Sequence, residues 1–213
     1  MLRILFYLFI VKPLVLIVLG INARNRHLLP VKGPAIIVAN HNSHLDTLAL
    51  MSLFPLSLAS KIRPVAAADY FLRNRLLRWF AMDLIGIIPI ERHAAGKNSR
   101  LLTPLTEALQ NGEILILFPE GSRGEPETLG KLKNGIAHLA SECPETPVIP
   151  VFFYGLGKSL PKGEIILVPF IVDAFIGEAL YWRGSRQAFM EALTESMASL
   201  QKLARQNQRE SAG

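Results

Sequence analysis

A single cysteine, Cys143, stands in a chain of 213 residues. That excludes an intrachain disulfide and fits a reducing compartment. As a lone residue Cys143 reads as a small buried apolar group. Acidic residues are the minority charge: 17 Asp and Glu face 23 Lys and Arg, a formal net charge of +6 with pI about 9.7. The basic residues are scattered and form no nucleic-acid-binding motif, so nucleic acid is not an expected partner. Internal repeats and low-complexity linkers are missing, and the length suits one domain, or one domain with an appendage. No Gly-x-Ser-x-Gly elbow supplies a hydrolase nucleophile. What the chain has in quantity is apolar residues, 50% of the total, with a mean hydropathy of +0.31. A basic, apolar chain points to anionic lipid, a phosphorylated substrate or an acidic carrier protein.

The apolar residues concentrate first at residues 1–21. A membrane span needs about 20 apolar residues in succession, but Lys12 and Pro13 interrupt this run near its middle, where a charge is costly and a helix kinks. Two short helices dipping into one leaflet fit better than a single kinked span, with Lys12 reaching the headgroups. Lys12 and the lack of a small-x-small site argue against a cleaved signal peptide. Arg24, Arg26 and His27 follow and favour the cytoplasmic face of an anionic membrane. Residues 1–24 are therefore expected to form a membrane-associating helical segment and residues 25–213 a catalytic domain.

From Ala35 onward short apolar runs alternate with helical periodicity. Strands are expected at Ala35–Ala39, Ile62–Ala68, Gly86–Ile90, Glu113–Phe118 and Val148–Tyr154, with two more within Glu164–Ile176. Helices are expected from Thr47, over Asp69–Met82, Ser99–Gln110 and Lys133–Glu142, and over Ser185–Gln206, followed by a frayed tail. The Asp69–Met82 helix mixes aromatic, leucine and arginine residues, a pattern that suits either a buried helix or one at a lipid surface. The alternation predicts an α/β fold with a largely parallel central sheet flanked by helices.

Between the first of these strands and its helix lies Asn40-His41-Asn42-Ser43-His44-Leu45-Asp46. His41 and Asp46 are five apart and would not share a face of one helix. A turn with Ser43 as N-cap and Asp46 at the third helical position brings the carboxylate back under the imidazole. Asp46 would then fix the ring tautomer, leaving the other nitrogen to take a proton from a hydroxyl. The plainer alternative is a helix cap beside a backbone-bonded histidine. His41 and His44 have metal-ligand spacing, but no Cys or carboxylate cluster completes a site. A second stretch, Phe118-Pro119-Glu120-Gly121-Ser122-Arg123-Gly124, follows another strand. Its glycines permit tight backbone with inward N–H groups, and Arg123 can grip a phosphate through two parallel hydrogen bonds. Arg92 ends a third strand. Strand ends on one edge of a parallel sheet converge, so His41, Arg92, Glu120 and Arg123 are expected in one crevice. Gly155-Leu156-Gly157-Lys158-Ser159 imitates a P-loop, but Phe152 occupies the position of its first glycine, so it reads as a turn.

Over residues 25–180 these blocks resemble the lysophosphatidate (1-acylglycerol-3-phosphate) acyltransferases, within the glycerolipid acyltransferases. Asn40, His41 and Asp46 match the family's Asn-His-x4-Asp block. Gly86, Ile90 and Arg92 match Gly-x-x-Phe-Ile-x-Arg, with Pro89 where Phe is usual. Phe118 to Arg123 match Phe-Pro-Glu-Gly-Thr/Ser-Arg, and Val148, Pro150 and Val151 match Val-x-Pro-Val. The resemblance implies transfer of a fatty acyl group from acyl-CoA or acyl-carrier protein to the free hydroxyl of a membrane lysophospholipid, foremost 1-acylglycerol-3-phosphate. It implies His41 and Asp46 as catalytic residues and Arg92, Glu120, Gly121, Ser122 and Arg123 as substrate-binding ones. It implies no metal and no bound organic cofactor. Another lyso-lipid acceptor, or a non-catalytic lipid-binding protein of the same fold, are the alternatives.

Overall fold

The computed structural model describes residues 2–43, 45–71, 74–91, 98–122, 124–125, 127–159 and 171–212. Seven strands form one sheet in the order β1-β7-β6-β2-β5-β3-β4. They are β1 (Ile21–Arg24), β2 (Ala35–Ala39), β3 (Ile62–Ala67), β4 (Ile88–Ile90), β5 (Ile114–Leu117), β6 (Val148–Tyr154) and β7 (Val172–Ile176). Every neighbouring pair is parallel except β6 with β7. The α/β architecture with a largely parallel sheet is thus as the alternation predicts.

β2 lies at the centre and is buried on both faces, which its unbroken apolar run Ala-Ile-Ile-Val-Ala requires. Successive side chains point to opposite sides. Ala35, Ile37 and Ala39 enter one layer with the N-terminal helical segment and α2 (Asp46–Ser52). Ile36 and Val38 enter the other, with α5 (Asn98–Gln110), α6 (Gly135–Glu142) and α8 (Arg186–Ala212). The Val-x-Pro-Val block is the wall beside β2: Val148 stands opposite Ile36, Pro150 opposite Val38 and Val151 opposite Ala39.

Residues 2–19 follow one helical path. α1 (Leu2–Phe6) runs into wide turns Tyr7–Val11 and Leu14–Leu19, with Lys12 and Pro13 also right-handed, and Gly20 ends it at φ +50°. Wide turns absorb the hydrogen bond that Pro13 cannot make. Tyr7, Val11 and Val15, four apart, are buried in the core, and the Tyr7 hydroxyl donates to the carbonyls of Met51 and Phe54. The Arg3 guanidinium donates to the Ser60 and Ile62 carbonyls and occupies the place a side chain at Gly86 would need. No helix among the described residues is long and apolar enough to cross a membrane.

Three local expectations need correction. The single helix over Asp69–Met82 is broken: α3 (Ala68–Phe71) ends, and α4 (Arg75–Trp79) starts afresh. Asn74 is extended there, and its side chain caps the new helix by accepting from Leu76 N–H at 2.8 Å. Of the two strands expected within Glu164–Ile176, β7 is one, and residues 164–170 of that stretch lie outside the described residues. The tail is not frayed from Gln206, because α8 continues to Ala212. Side-chain hydrogen bonds hold that extension: Gln208 donates to Asp173 at 2.9 Å and Arg24 to Asn207 at 3.2 Å. Finally, β1 pairs with β7 where the sequence suggested no strand.

Candidate active site

The C-terminal ends of β2 and β5 lie side by side, since these strands are parallel neighbours with Val38 opposite Leu117. His41 follows the first and Glu120 the second. Asn40, buried at the end of β2, clasps the neighbouring β6 on its other side: its amide donates to Phe153 O at 3.0 Å and accepts from Phe153 N–H at 2.7 Å. The chain then turns sharply into α2.

That turn brings His41 and Asp46 together. His41 Nδ1 is 2.8 Å from Asp46 Oδ2. The same oxygen accepts from the Asn42 and Ser43 N–H groups at 2.7 and 2.9 Å. The bond to Ser43 is the reciprocal half of a capping box, as the Ser-x-x-Asp spacing predicts. The other half differs: Ser43 Oγ accepts from Leu45 N–H at 3.3 Å, and α2 starts at Asp46 itself. The carboxylate is 1% exposed and the imidazole 23%, so the ring is open at the sheet edge while its partner stays dry. No hydrogen bond from a described residue reaches His41 Nε2. The imidazole stacks on Phe118, with ring centroids 4.4 Å apart at 24°.

The glycine-rich turn grips the His41 backbone from both sides. Glu120 Oε1 accepts from His41 N–H at 3.1 Å, and Gly124 N–H donates to His41 O at 2.9 Å. Glu120 is buried, and Gly124 and Gly130 make the room: a Cβ on either would lie 3.0 or 2.7 Å from Oε2. Burial pushes the Glu120 carboxyl above its ordinary range, while N–H groups of His41 and Gly130 pull it back. Gly121 has φ +73°, and a side chain there would collide with the end of Lys133. Ser122 is exposed at the tip of the turn.

Of the residues singled out from the sequence, His41, Asp46, Glu120 and Gly121 are therefore gathered at one sheet edge, with Ser122 beside them. Arg92, Arg123 and His44 lie outside the described residues. β4, which leads to Arg92, ends at the same edge but is separated from β2 by β5 and β3. At ~4.8 Å per strand this is about 14 Å. Phe118 as a stacking partner, Asn40 as a clasp and Gly130 as part of the Glu120 cradle were not assigned from the sequence. Asn40 and Phe118 stand in the matched blocks, but their roles carried no signal without the fold, and neither did a glycine ten residues beyond Glu120. The P-loop imitation, expected as a turn, is one only at Gly155: Leu156–Ser159 form the short helix α7. Among the described residues no three His, Cys, Asp or Glu side chains gather as a metal site.

Comparison with known proteins places the chain in a family. The acyltransferase family profile matches residues 20–154. The 1-acyl-sn-glycerol-3-phosphate acyltransferase LPAT1 of Arabidopsis thaliana chloroplasts is 31% identical over 131 residues, 62% of this chain and 35% of that protein. The human 1-acyl-sn-glycerol-3-phosphate acyltransferase alpha is 28% identical over 137 residues, 62% of this chain and 44% of that protein. The chain thus spans less than half the length of these curated relatives. The crystal structure of the 1-acyl-sn-glycerophosphate acyltransferase PlsC from Thermotoga maritima superposes with a TM-score of 0.70 at 22% identity, covering 87% of this chain and 72% of that one. That likeness is one of fold. With well over half of its length under the family profile, the chain belongs to the acyltransferase family that includes the lysophosphatidate acyltransferases.

Proposed function

We propose that the protein transfers a fatty acyl group from an acyl thioester to the free hydroxyl of 1-acylglycerol-3-phosphate, giving phosphatidate. The observation that carries this reading is the His41–Asp46 contact of 2.8 Å at the open edge of the sheet. Asp46 accepts the Nδ1 proton, so Nε2 holds the lone pair. Nε2 takes the proton of the acceptor hydroxyl as its oxygen bonds to the thioester carbonyl carbon. Backbone N–H groups at the edge stabilise the tetrahedral oxyanion. Its collapse breaks the C–S bond, and the leaving thiolate takes the proton back from the imidazolium. Acyl-CoA or acyl-carrier protein serves as co-substrate, and the step needs neither an acyl-enzyme nor a bound cofactor.

Arg92 and Arg123 hold the acceptor phosphate, with Gly121 and Ser122 shaping the turn around it. Glu120 supports the site from behind by anchoring the His41 backbone. Leu5, Phe9 and Ile17 of the first helical segment are 43, 65 and 81% exposed, and they seat the protein on the membrane that contains its acceptor. The relatives' names support this acceptor class, and a seat in a single leaflet would suit a substrate whose acyl chain stays in the bilayer.

The test is purified protein with labelled acyl thioester, with and without lysophosphatidate. Labelled phosphatidate that forms only with acceptor is the expected result. Free fatty acid alone means hydrolysis, and no product means a binding protein. His41→Ala should lower transfer by about a hundred- to ten-thousand-fold while vesicle association persists. Near-normal turnover in that variant would remove His41 as the base.

A further inference from the structure

A second apolar surface lies beside the N-terminal helical segment. α4 continues without a break into the wide turns Phe80–Ile85. At ~1.5 Å per residue this rod is about 16 Å long, roughly half the hydrocarbon thickness of a bilayer. Ala81 and Leu84 are buried against the protein. Leu76, Trp79, Phe80 and Met82 face outward, 71, 45, 36 and 36% exposed. A helix that is apolar on both sides is ordinarily enclosed by protein or lipid, and here protein covers only one side. Arg75 and Arg78 flank the outward face and line a shallow groove with Trp79, Met82 and Asp83. The patch is continuous with α1, because the Phe80 ring meets Phe6 edge-on at 5.4 Å. Leu2, Leu5 and Phe9 extend the exposed apolar surface from there.

We infer that Arg75–Ile85 is a second membrane-docking element. It lies in the plane of an anionic bilayer, with Leu76, Trp79, Phe80 and Met82 among the acyl chains and Arg75 and Arg78 on lipid phosphates. The choice of lipid as occupant rests on the proposed lipid substrate and on charge: two arginines face one aspartate across the groove, and the apolar side chains between them match acyl chains. Docking at two elements fixes the protein's tilt on the bilayer, which one helix lying in the interface does not.

The chain has only two tryptophans. Trp182 packs against Phe189 at 5.9 Å in the layer on the other face of the sheet. Trp182→Phe therefore leaves Trp79 as the sole reporter, and Trp79→Phe leaves Trp182 as the control. Each is mixed with vesicles of phosphatidylcholine and phosphatidylglycerol carrying brominated chains. Trp79 emission should move to the blue and be quenched, with Trp182 unaffected. Changing both Arg75 and Arg78 to Ala should weaken binding to the anionic vesicles about tenfold or more and leave weak binding to neutral ones unchanged. Bound protein with Trp79 unquenched overturns the inference, since the first helical segment then docks alone. Absence of vesicle binding overturns it too, as does quencher-independent shielding of Trp79 that grows with protein concentration, the mark of a second copy. Transfer assayed in detergent micelles separates the two readings: the double arginine variant should match the unmodified protein there. An unmodified protein that is inactive in micelles and on vesicles would refute the catalytic reading and leave the quenching result standing.

Discussion

At the scale of single residues, one carboxylate oxygen has three tasks. Asp46 Oδ2 holds the His41 ring and accepts two backbone N–H groups of the turn, while Oδ1 is buried without a hydrogen-bond partner among the described residues. Asp46→Asn keeps the shape, but an amide nitrogen can replace the acceptor and the negative charge is gone. The imidazolium then loses its stabilisation, and kcat should fall on the order of a hundredfold or more. Stability should fall with it by about 1–3 kcal/mol, because the turn's N–H groups lose a charged acceptor. Stopped-assay kinetics and thermal melts on the same samples check both. Glu120 makes a different prediction. Its carboxyl is pushed up chiefly by burial, so the folded state binds that proton more tightly than the unfolded chain. The stability this contributes is fully present below the ordinary carboxylate range and is lost as pH rises through the raised value. In Glu120→Gln that component is absent, and the unfolding midpoint should vary less with pH just above the ordinary carboxylate range. An unchanged slope would show that Glu120 titrates as in the unfolded chain.

At the scale of elements, the loop between β5 and α6 is a clamp. Glu127 sits at φ 61°, unusual for a residue with a side chain. Its two carboxylate oxygens accept from Gly155 N–H at 3.0 Å each, and its carbonyl accepts from Gln201 at 3.0 Å. One residue thus ties the glycine-rich turn to the end of β6 and to α8. Glu127→Ala loses the carboxylate but keeps the left-handed backbone, whereas Glu127→Gly loses the carboxylate and relaxes that backbone. Melting temperatures should fall in the order native, Gly, Ala, with Ala losing about 1–3 kcal/mol. On the proposed reading, in which the glycine-rich turn holds the acceptor phosphate, both variants should raise the KM for lysophosphatidate more than they lower kcat.

At the scale of the whole molecule, the first helical segment belongs to two surroundings at once. Val11 is fully buried in the core, while Phe9 and Ile17 are 65 and 81% exposed. Val11→Asp buries an unpaired charge, which costs on the order of several kcal/mol and should unfold the domain. Ile17→Asp should melt like the native protein and float less with anionic vesicles. Equal melting of the two variants would mean that the segment is an appendage. Arg3 strengthens the attachment from the same segment: burial first, then the Arg63 charge, lowers its guanidinium to about 10, yet it remains bonded to two carbonyls at the start of β3.

The chain's order of apolar runs, turn residues and blocks determined by itself the α/β class, the largely parallel sheet and the residues of β2, and it offered the pairing of His41 with Asp46 as one of two readings. These follow from local spacing: strand period, a Ser-x-x-Asp cap, and a five-residue separation that a turn alone can close. Tertiary structure decided the rest, because it depends on partners distant in sequence. β1 is a strand only because β7 lies beside it, and α8 reaches Ala212 because Asp173 accepts from its last turns. Gly86 ends its helix in the left-handed region at φ +84°, with the Arg3 guanidinium packed over it, and Glu120 faces the His41 backbone because β2 and β5 are neighbours. Hydrophobic periodicity records which face of an element is inside, but only packing reveals what stands opposite it.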